Sequence, residues 1–303
     1  MVQRVTSTTL TRRLNADIQF NARRLADAQG KISSGKLLQR ASDGPADVLR
    51  ALDQRAELRR YEQYTRNSSD ATAWLNSTDS TLSTIVDRLQ RVRSLVLEGV
   101  SGAVDQPERL AIATEIKGIR EELLGLANTT YLGRPLFVGT VDTDAAFAAD
   151  GSYLGDNGAV TRTVGPGTTI QVNLHGEEVF GTYDADPANG NLFQVLDTIV
   201  ANLEQDNAGF DIDALRAGIA QIDVATDRIA LAQAKAGSRS RQVEALDARN
   251  GDVMLDIRAE LSEVEDVDYA KAIIELRSQE FAYEAALSVT AKIIQPSLLD
   301  FLR

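Results

Sequence analysis

Apolar residues step by three and four along most of this chain. The strongest run is Leu75, Thr78, Leu82, Ile85, Leu89, Val92 and Val96, coiled-coil spacing inside a stretch that reads as helix from Pro45 to about Gly99. A further helix is predicted after Pro107, with Ile112, Ile116, Ile119, Leu123 and Leu126 on one face, ending at Asn128 and a turn around Gly133-Arg134-Pro135. After Asn191, Leu192, Leu196, Ile199 and Leu203 predict a short amphipathic helix. A long one follows on Ile212, Leu215, Ile219, Ile222 and Ile229, interrupted at Thr226 and blurring into Ala, Gln and Ser before Val243, with charges from Arg249 to Asp252.

The two ends carry thinner stripes. Ile18, Leu25 and Ile32 recur every seventh residue, with Leu14, Asn21 and Ala28 as the second line. Asn21 and Ala28 weaken that seam, so the helix needs a partner to persist in water. From about Tyr269 the pattern is helical again, with Leu287, Ala291, Ile294 and Leu298 on one face and Pro296 expected to kink or end it. Between the helical blocks, residues 141–186 are rich in Gly, Asp, Thr and Ala, with eight acids and one base. There Ile170, Val172 and Leu174 alternate with Gln171 and Asn173, Val160, Arg162 and Val164 alternate upstream, and Gly165-Pro166-Gly167 reads as the turn between two strands.

These patterns predict a mainly α fold: an elongated bundle of long helices pairing both chain ends, with a small β-rich insertion in the middle. Three domains are expected: residues 1–44 with 265–303 as a terminal helical pair, 45–140 with 187–264 as the bundle, and 141–186 as the β-rich part. The paired ends are expected to lie side by side, with the insertion at the far end. Aromatic content of 5% and only 6 prolines agree with the helical reading.

Charge and composition narrow the function. A net charge of −12 argues against unspecific nucleic-acid binding, which requires a cationic surface. Residues 1–40 carry eight Lys/Arg and two Asp, net +6, whereas residues 254–303 carry five Lys/Arg and ten Asp/Glu, net −5, so the ends could pair by charge. The absence of cysteine removes disulfides and thiol chemistry. One histidine, His175, beside Glu177 and Glu178, is expected in an exposed loop, with no second imidazole for a zinc site. No cofactor is expected. The acidic cluster Glu263, Glu265, Asp266 and Asp268 lacks the spacing of a calcium loop and reads as a solvated helix face or cap. The start MVQRVTSTTLTRRL lacks the apolar core of a cleaved signal, and no run reaches the ~18 apolar residues of a membrane span.

One stretch offers chemistry. Gly30, then Lys31 to Ser34, then Gly35-Lys36 matches most of the phosphate-loop pattern, but Leu37 stands where Ser or Thr should hold magnesium, and a heptad helix precedes it instead of a buried strand. The same residues make better sense as a joint between helices. Gly35 suits the residue after a helix, Ser42, Asp43 and Gly44 are helix-starting types, Pro45 fits the first helical position, and Asp47 favours the positive end of the helix dipole. An enzyme is therefore not expected.

Several of these residues carry a family resemblance. Ile32 to Lys36, Ala41-Ser42-Asp43-Gly44-Pro45-Ala46-Asp47, Arg59 to Asn67 and Ala71 to Leu82 resemble the N-terminal motif of flagellins and their junction relatives. Asp266 to Ala272 and Phe281 to Leu302 resemble the other end of that family, so the likeness spans roughly residues 1–140 and 190–303. Ser42-Asp43-Gly44-Pro45 is similar to the Ser-Asp-Asp-Pro of the junction group, and Asn128 to Thr140 resembles its Asn…Gly-Arg-Tyr-Leu-Phe-Ala-Gly run. Gly44, Leu132 and Pro135 depart from that group.

The resemblance implies a structural subunit of the bacterial flagellum, exported unfolded without a cleaved signal and working outside the cell. Its implied partners are the first hook-side junction protein, flagellin, neighbouring copies of itself and an export chaperone, with no nucleic acid and no membrane insertion. The alternative within the family is a filament subunit. The assembly residues so implied are Leu14, Ile18, Leu25 and Ile32 near one end and Leu287, Ile294 and Leu298 near the other, with Gly35, Ser42, Gly44 and Pro45 as the helix joint.

Overall fold

The three-four stripes become helices close to their expected limits. The computed structural model describes residues 2–40, 42–101, 104–184 and 190–294. Among them the order is α1 (Val2–Ser34), α2 (Pro45–Val100), α3 (Gln106–Ala127), β1 (Thr130–Tyr131), β2 (Arg134–Pro135), β3 (Thr161–Gly165), β4 (Thr168–Gln171), α4 (Gly176–Phe180), α5 (Leu192–Leu203), α6 (Ile212–Glu265) and α7 (Tyr269–Ile294). The chain divides into two units, residues 61–252 and residues 1–60 with 253–303.

In the first of these units the heptad line of α2 is the core. Leu82, Ile85, Leu89 and Val92 are fully buried, together with Ile116 and Leu123 of α3 and Leu215, Ile222 and Ile229 of α6. The blurred part of α6 is not a break, because Ala225, Ala232 and Ala236 are buried there and small side chains let the neighbouring backbone approach. Thr226 compensates for its hydroxyl by donating to Ile222 O at 2.8 Å. Within the charged interval, Asn250 is buried and its Nδ2 donates to Val164 O at 2.8 Å.

Helix limits are set by side chains. Asp105 and Glu108 close a capping box at the start of α3, with Pro107 in its first turn, and Asn191 and Gln194 do the same for α5. Asn128 ends α3 and then clamps the following loop. Its Oδ1 accepts from the backbone N–H of Ala146 and of Phe147 at 2.8 Å each, and its Nδ2 donates to Phe147 O at 3.0 Å.

The β-rich middle holds two antiparallel pairs, β1 with β2 and β3 with β4. Two expectations need correction. Asn173 does not face solvent: it is buried, its Oδ1 accepting from Val160 N at 2.8 Å and its Nδ2 donating to Gly158 O at 2.9 Å. His175 is not an exposed loop residue but a half-buried one preceding α4 as its cap, since the apolar Leu174, Val179 and Phe180 on either side draw the segment inward. The loop is anchored by an aromatic cluster that periodicity did not predict. Phe147 lies 5.0 Å from Phe180 and 5.3 Å from Phe193 between ring centroids, and Tyr153 closes on it at 5.2 Å. Burial raises the Tyr153 phenol to about 12, and its hydroxyl sits 2.8 Å from Phe137 O. Nearby Asp156, held by the Thr140 hydroxyl and N–H, is lowered to about 2.

The turn between β1 and β2 centres on Leu132 and Gly133, at φ 50° and 81°. Two positive φ values in a two-residue hairpin suit Asn-Gly, and the Cβ of leucine opposes them. Leu132 is also 84% exposed, so it gains nothing from burial there. Leu132→Asn is expected to raise stability by about 0.5–1 kcal/mol in a urea titration.

In the other unit, α1 packs on α7. The inner side of α7 is Ala272, Leu276, Tyr283, Ala286 and Thr290, which are buried or half-buried. The predicted line through Leu287 and Ala291 is exposed instead. The inner side mixes small residues with Leu276 and Tyr283, while Ile273, Ile274, Phe281, Leu287 and Val289 are exposed. Pro296 and Leu298 lie outside the described residues.

Candidate functional site

The segment that resembled a phosphate loop is a joint. α1 ends at Ser34, Gly35 takes φ 69°, and the chain crosses the connection between α6 and α7. A left-handed residue here suits glycine, and a Cβ at this position would also meet the Tyr269 hydroxyl at 2.9 Å. Two backbone hydrogen bonds tie the connections together: Leu37 N donates to Glu265 O at 2.6 Å and Val267 N to Gly35 O at 3.0 Å. Lys36 and Asp266 form the antiparallel bridge between them.

Charges close the same crossing. Lys36 Nζ lies 2.6 Å from Asp266 Oδ1 and 3.4 Å from Glu265 Oε2, and Arg55 Nη2 reaches Glu265 Oε2 at 2.8 Å. The sequence predicts Glu265 on a solvated helix face or cap, but it is 4% exposed, buried between two cations that supply its solvation. Asp266 also accepts from Ser262 Oγ at 2.6 Å. A phosphate approaching Lys36 would meet two carboxylates, so the lysine is committed to the joint.

The start of α2 follows the expected outline with a different cap. Gly44 O accepts from Val48 N at 2.8 Å, and Pro45 opens the helix. It is Asp43 that caps backwards, its Oδ2 accepting from Arg40 N at 2.8 Å and Gln39 N at 3.1 Å, while Ser42 reaches only Asp43 at 3.4 Å. At the other connection Asp268 accepts from Ala270 N and Lys271 N, starting α7.

Asp43, Asp266 and Asp268 titrate below the ordinary aspartate value, through the Arg40 N–H, the Lys36 ammonium and the Lys271 N–H respectively. The Lys36 hydrogen bond to Asp266 raises the lysine. A lowered carboxyl stabilises the fold fully above its unfolded value near 3.8 and loses this as pH falls through the folded value. The raised lysine contributes below 10.5 and loses its part as pH climbs through the folded value. Helical circular dichroism is therefore expected to hold from about pH 5 to 9 and to weaken below about pH 4, in the joint first. Amide exchange at Leu37 and Val267 reads that order.

Of the implied assembly residues, Leu14, Ile18, Leu25 and Ile32 lie on the half-buried side of α1. Leu287 is exposed on α7, Ile294 is its last residue, and Leu298 lies outside the described residues. The side of α7 opposite Ala272 and Tyr283 presents Ile274 and Phe281, 70% and 75% exposed and seven residues apart. Among the described residues, the smaller unit holds eleven of the nineteen exposed large hydrophobic ones, including Phe20, Ile273, Ile274, Phe281, Leu287 and Val289. Sequence reading missed Glu265, Arg55 and Asp266 as a set, because Lys36 and Asp266 are 230 residues apart and no local pattern links them.

The terminal helices α1 and α7 thus flank a crossing of the two connections and carry exposed apolar side chains. Residues 5–142 match the model of the bacterial flagellin N-terminal helical region. Over 275 residues the chain is 26% identical to flagellar hook-associated protein 3 of Salmonella typhimurium, covering 84% of this chain and 86% of that one. It is 27% identical to a flagellin of Bacillus subtilis over 283 residues, covering 90% and 91%. The crystal structure of flagellar hook-associated protein 3 from Legionella pneumophila shares the fold at a TM-score of 0.61 and 17% identity, over 70% of this chain and 98% of that one. These similarities support a structural role in the bacterial flagellum.

Proposed function

We propose that this chain is the subunit that joins the hook-side junction protein to the flagellin filament, exported without a cleaved signal and assembled outside the cell. The observation that carries the assembly role is the outward apolar surface of the terminal helices, centred on Ile274 and Phe281. Large apolar residues exposed together along one side of a helix suit a surface that another chain covers. Residues 1–44 with 265–303 act as the assembly domain lining the tube, residues 45–140 with 187–264 as the next layer, and residues 141–186 face outward. An export chaperone covers the C-terminal segment before secretion. Ser42-Asp43-Gly44-Pro45 at the joint, which resembles the motif of the junction group, favours the junction over the filament.

Cells lacking the chain are expected to build hooks and release flagellin into the medium without growing filaments. Full-length protein restores filaments, and versions lacking residues 1–40 or 265–303 do not. Normal filaments in the deletion strain, or rescue by either truncation, would sink the reading. The similarity to a flagellin gives a second reading, a filament subunit. Growth of long filaments from the purified chain alone would select it.

A further inference from the structure

Among the described residues, most of the opposite charges of the two chain ends are not spent on each other. Residues 1–40 carry net +6 and residues 254–303 net −5, yet among the described residues the ion pairs joining these segments are those of Lys36 with Glu265 and Asp266. Arg12, Arg13, Arg23 and Arg24 are all exposed on α1. Arg23 Nε donates to Gln19 O at 3.3 Å and Arg24 stacks over Phe20 at 5.6 Å; none of the four meets a carboxylate among the described residues. Arg12 and Arg23 are eleven residues apart, as are Arg13 and Arg24. Eleven residues make three turns, so these are two rows with rungs about 16 Å apart, turned away from Leu14, Ile18 and Leu25.

The last turns of α6 carry the complement. Asp256, Glu260 and Glu263 step by four and three and are exposed. Like charges at these spacings repel in an isolated helix. Glu260 accepts a hydrogen bond from Gln54 Nε2, and Arg50 borders the same groove, but no cation forms an ion pair with the three acids among the described residues. The acidic row by itself destabilises its own helix, and a cationic partner relieves it. Among the described residues no ion pair joins these arginines to these acids within one chain, so a second copy, which carries both rows, is the partner whose charges fit them.

We propose that the arginine rows of α1 dock on the acidic end of α6 in a neighbouring copy, so that charge pairing sets the register in which copies assemble. The pairing is heterologous, one surface against a different one, so it propagates from copy to copy around a ring or along a helix. It rests on the assembly reading above and names the polar half of an interface whose apolar half is Ile274 and Phe281.

The test uses two charge-reversed full-length chains, one Arg23→Glu with Arg24→Glu, the other Asp256→Lys with Glu263→Lys. Each alone is expected to lower the number of filaments per cell about tenfold in a strain lacking the native gene, from two lost pairs replaced by repulsion. Expressed together they restore it to within about threefold, because every arginine or lysine can again face a carboxylate on the next copy. Unchanged thermal melts show that both variants still fold. Wild-type filament numbers with either variant alone, or a defect that co-expression leaves in place, would overturn the docking. Should filaments grow without the chain at all, it is the junction role that fails. The docking is then decided by sedimentation of purified chains: association of the mixed variants, matching wild type and exceeding either alone, supports it, and equal behaviour of all samples refutes it.

Discussion

Phe147→Ala is expected to destabilise the unit of residues 61–252 by about 3–5 kcal/mol, a larger effect than any surface change in the protein. Phe147 is 2% exposed and touches Phe180, Phe193 and Tyr153, so truncation removes its transfer energy and leaves a cavity among rings that cannot all collapse inward. The backbone on either side is pinned, since Asn128 accepts from Phe147 N and donates to Phe147 O. That anchoring limits relaxation and keeps the loss near the upper end. A urea titration followed by far-ultraviolet circular dichroism should show the midpoint falling with little change in slope. Phe281→Ala is the control: the ring is 75% exposed, and stability should move by no more than about 0.5 kcal/mol. In cells the two variants should differ in kind. Phe147→Ala lowers the amount of folded chain, whereas Phe281→Ala leaves it and weakens assembly.

That contrast marks what could be read from the sequence. Leu82, Ile85, Leu89 and Val92 announce their helix because an apolar step of three or four is a property of neighbouring residues, and each is buried. Pro45, Asn128 and Asn191 mark helix ends for a local reason too, supplying or sparing backbone hydrogen bonds within one turn. The aromatic cluster has no such signature. Phe137, Phe147, Phe180 and Phe193 come from separate loops and helices, and what gathers them is the packing of the whole middle region. Asn173 misled for the same reason. Its alternation with Ile170 and Val172 is a strand pattern, but a loop at Gly158 and Val160 closes over it and satisfies its amide.

The terminal helices show the opposite limit. Their stripes predict which sides are apolar but not which apolar side packs at home. Leu287 and Ala291 line up as well as any core face, yet the single chain uses Ala272, Leu276, Tyr283 and Ala286 against α1. A helix with two apolar sides reads as ambiguous until its neighbours are known. Here Ile274 and Phe281 stay exposed, which is unfavourable for a chain in isolation and is what the proposed assembly would relieve. At the joint, Gly35 and Pro45 were legible through backbone preference, while the partners of Lys36 were not, because charge has no sequence register across 230 residues.

Glu265→Ala is the largest change expected at that joint, a loss of about 1–3 kcal/mol confined to residues 1–60 and 253–303. Removing one member of a buried ion pair ordinarily costs more, because the remaining charge is stranded. Lys36 and Arg55 are 45% and 49% exposed in their side chains, so water takes over part of their solvation and the loss is discounted. Glu265→Gln keeps the volume and one acceptor and should lose less. Lys36→Met should lose least, since Arg55 at 2.8 Å still holds the carboxylate. Amide exchange separates this ordering from a general weakening. Leu37 N–H donates to Glu265 O and Val267 N–H to Gly35 O, and both bonds persist only while the two connections stay crossed. In Glu265→Ala these two amides should exchange at least about tenfold faster, about 1.4 kcal/mol of local opening. The buried α2 residues Ile85 and Leu89, in the other unit, should keep their amide protection. Unchanged exchange at Leu37 and Val267 would mean that the backbone bridge holds the joint and the charges merely decorate it.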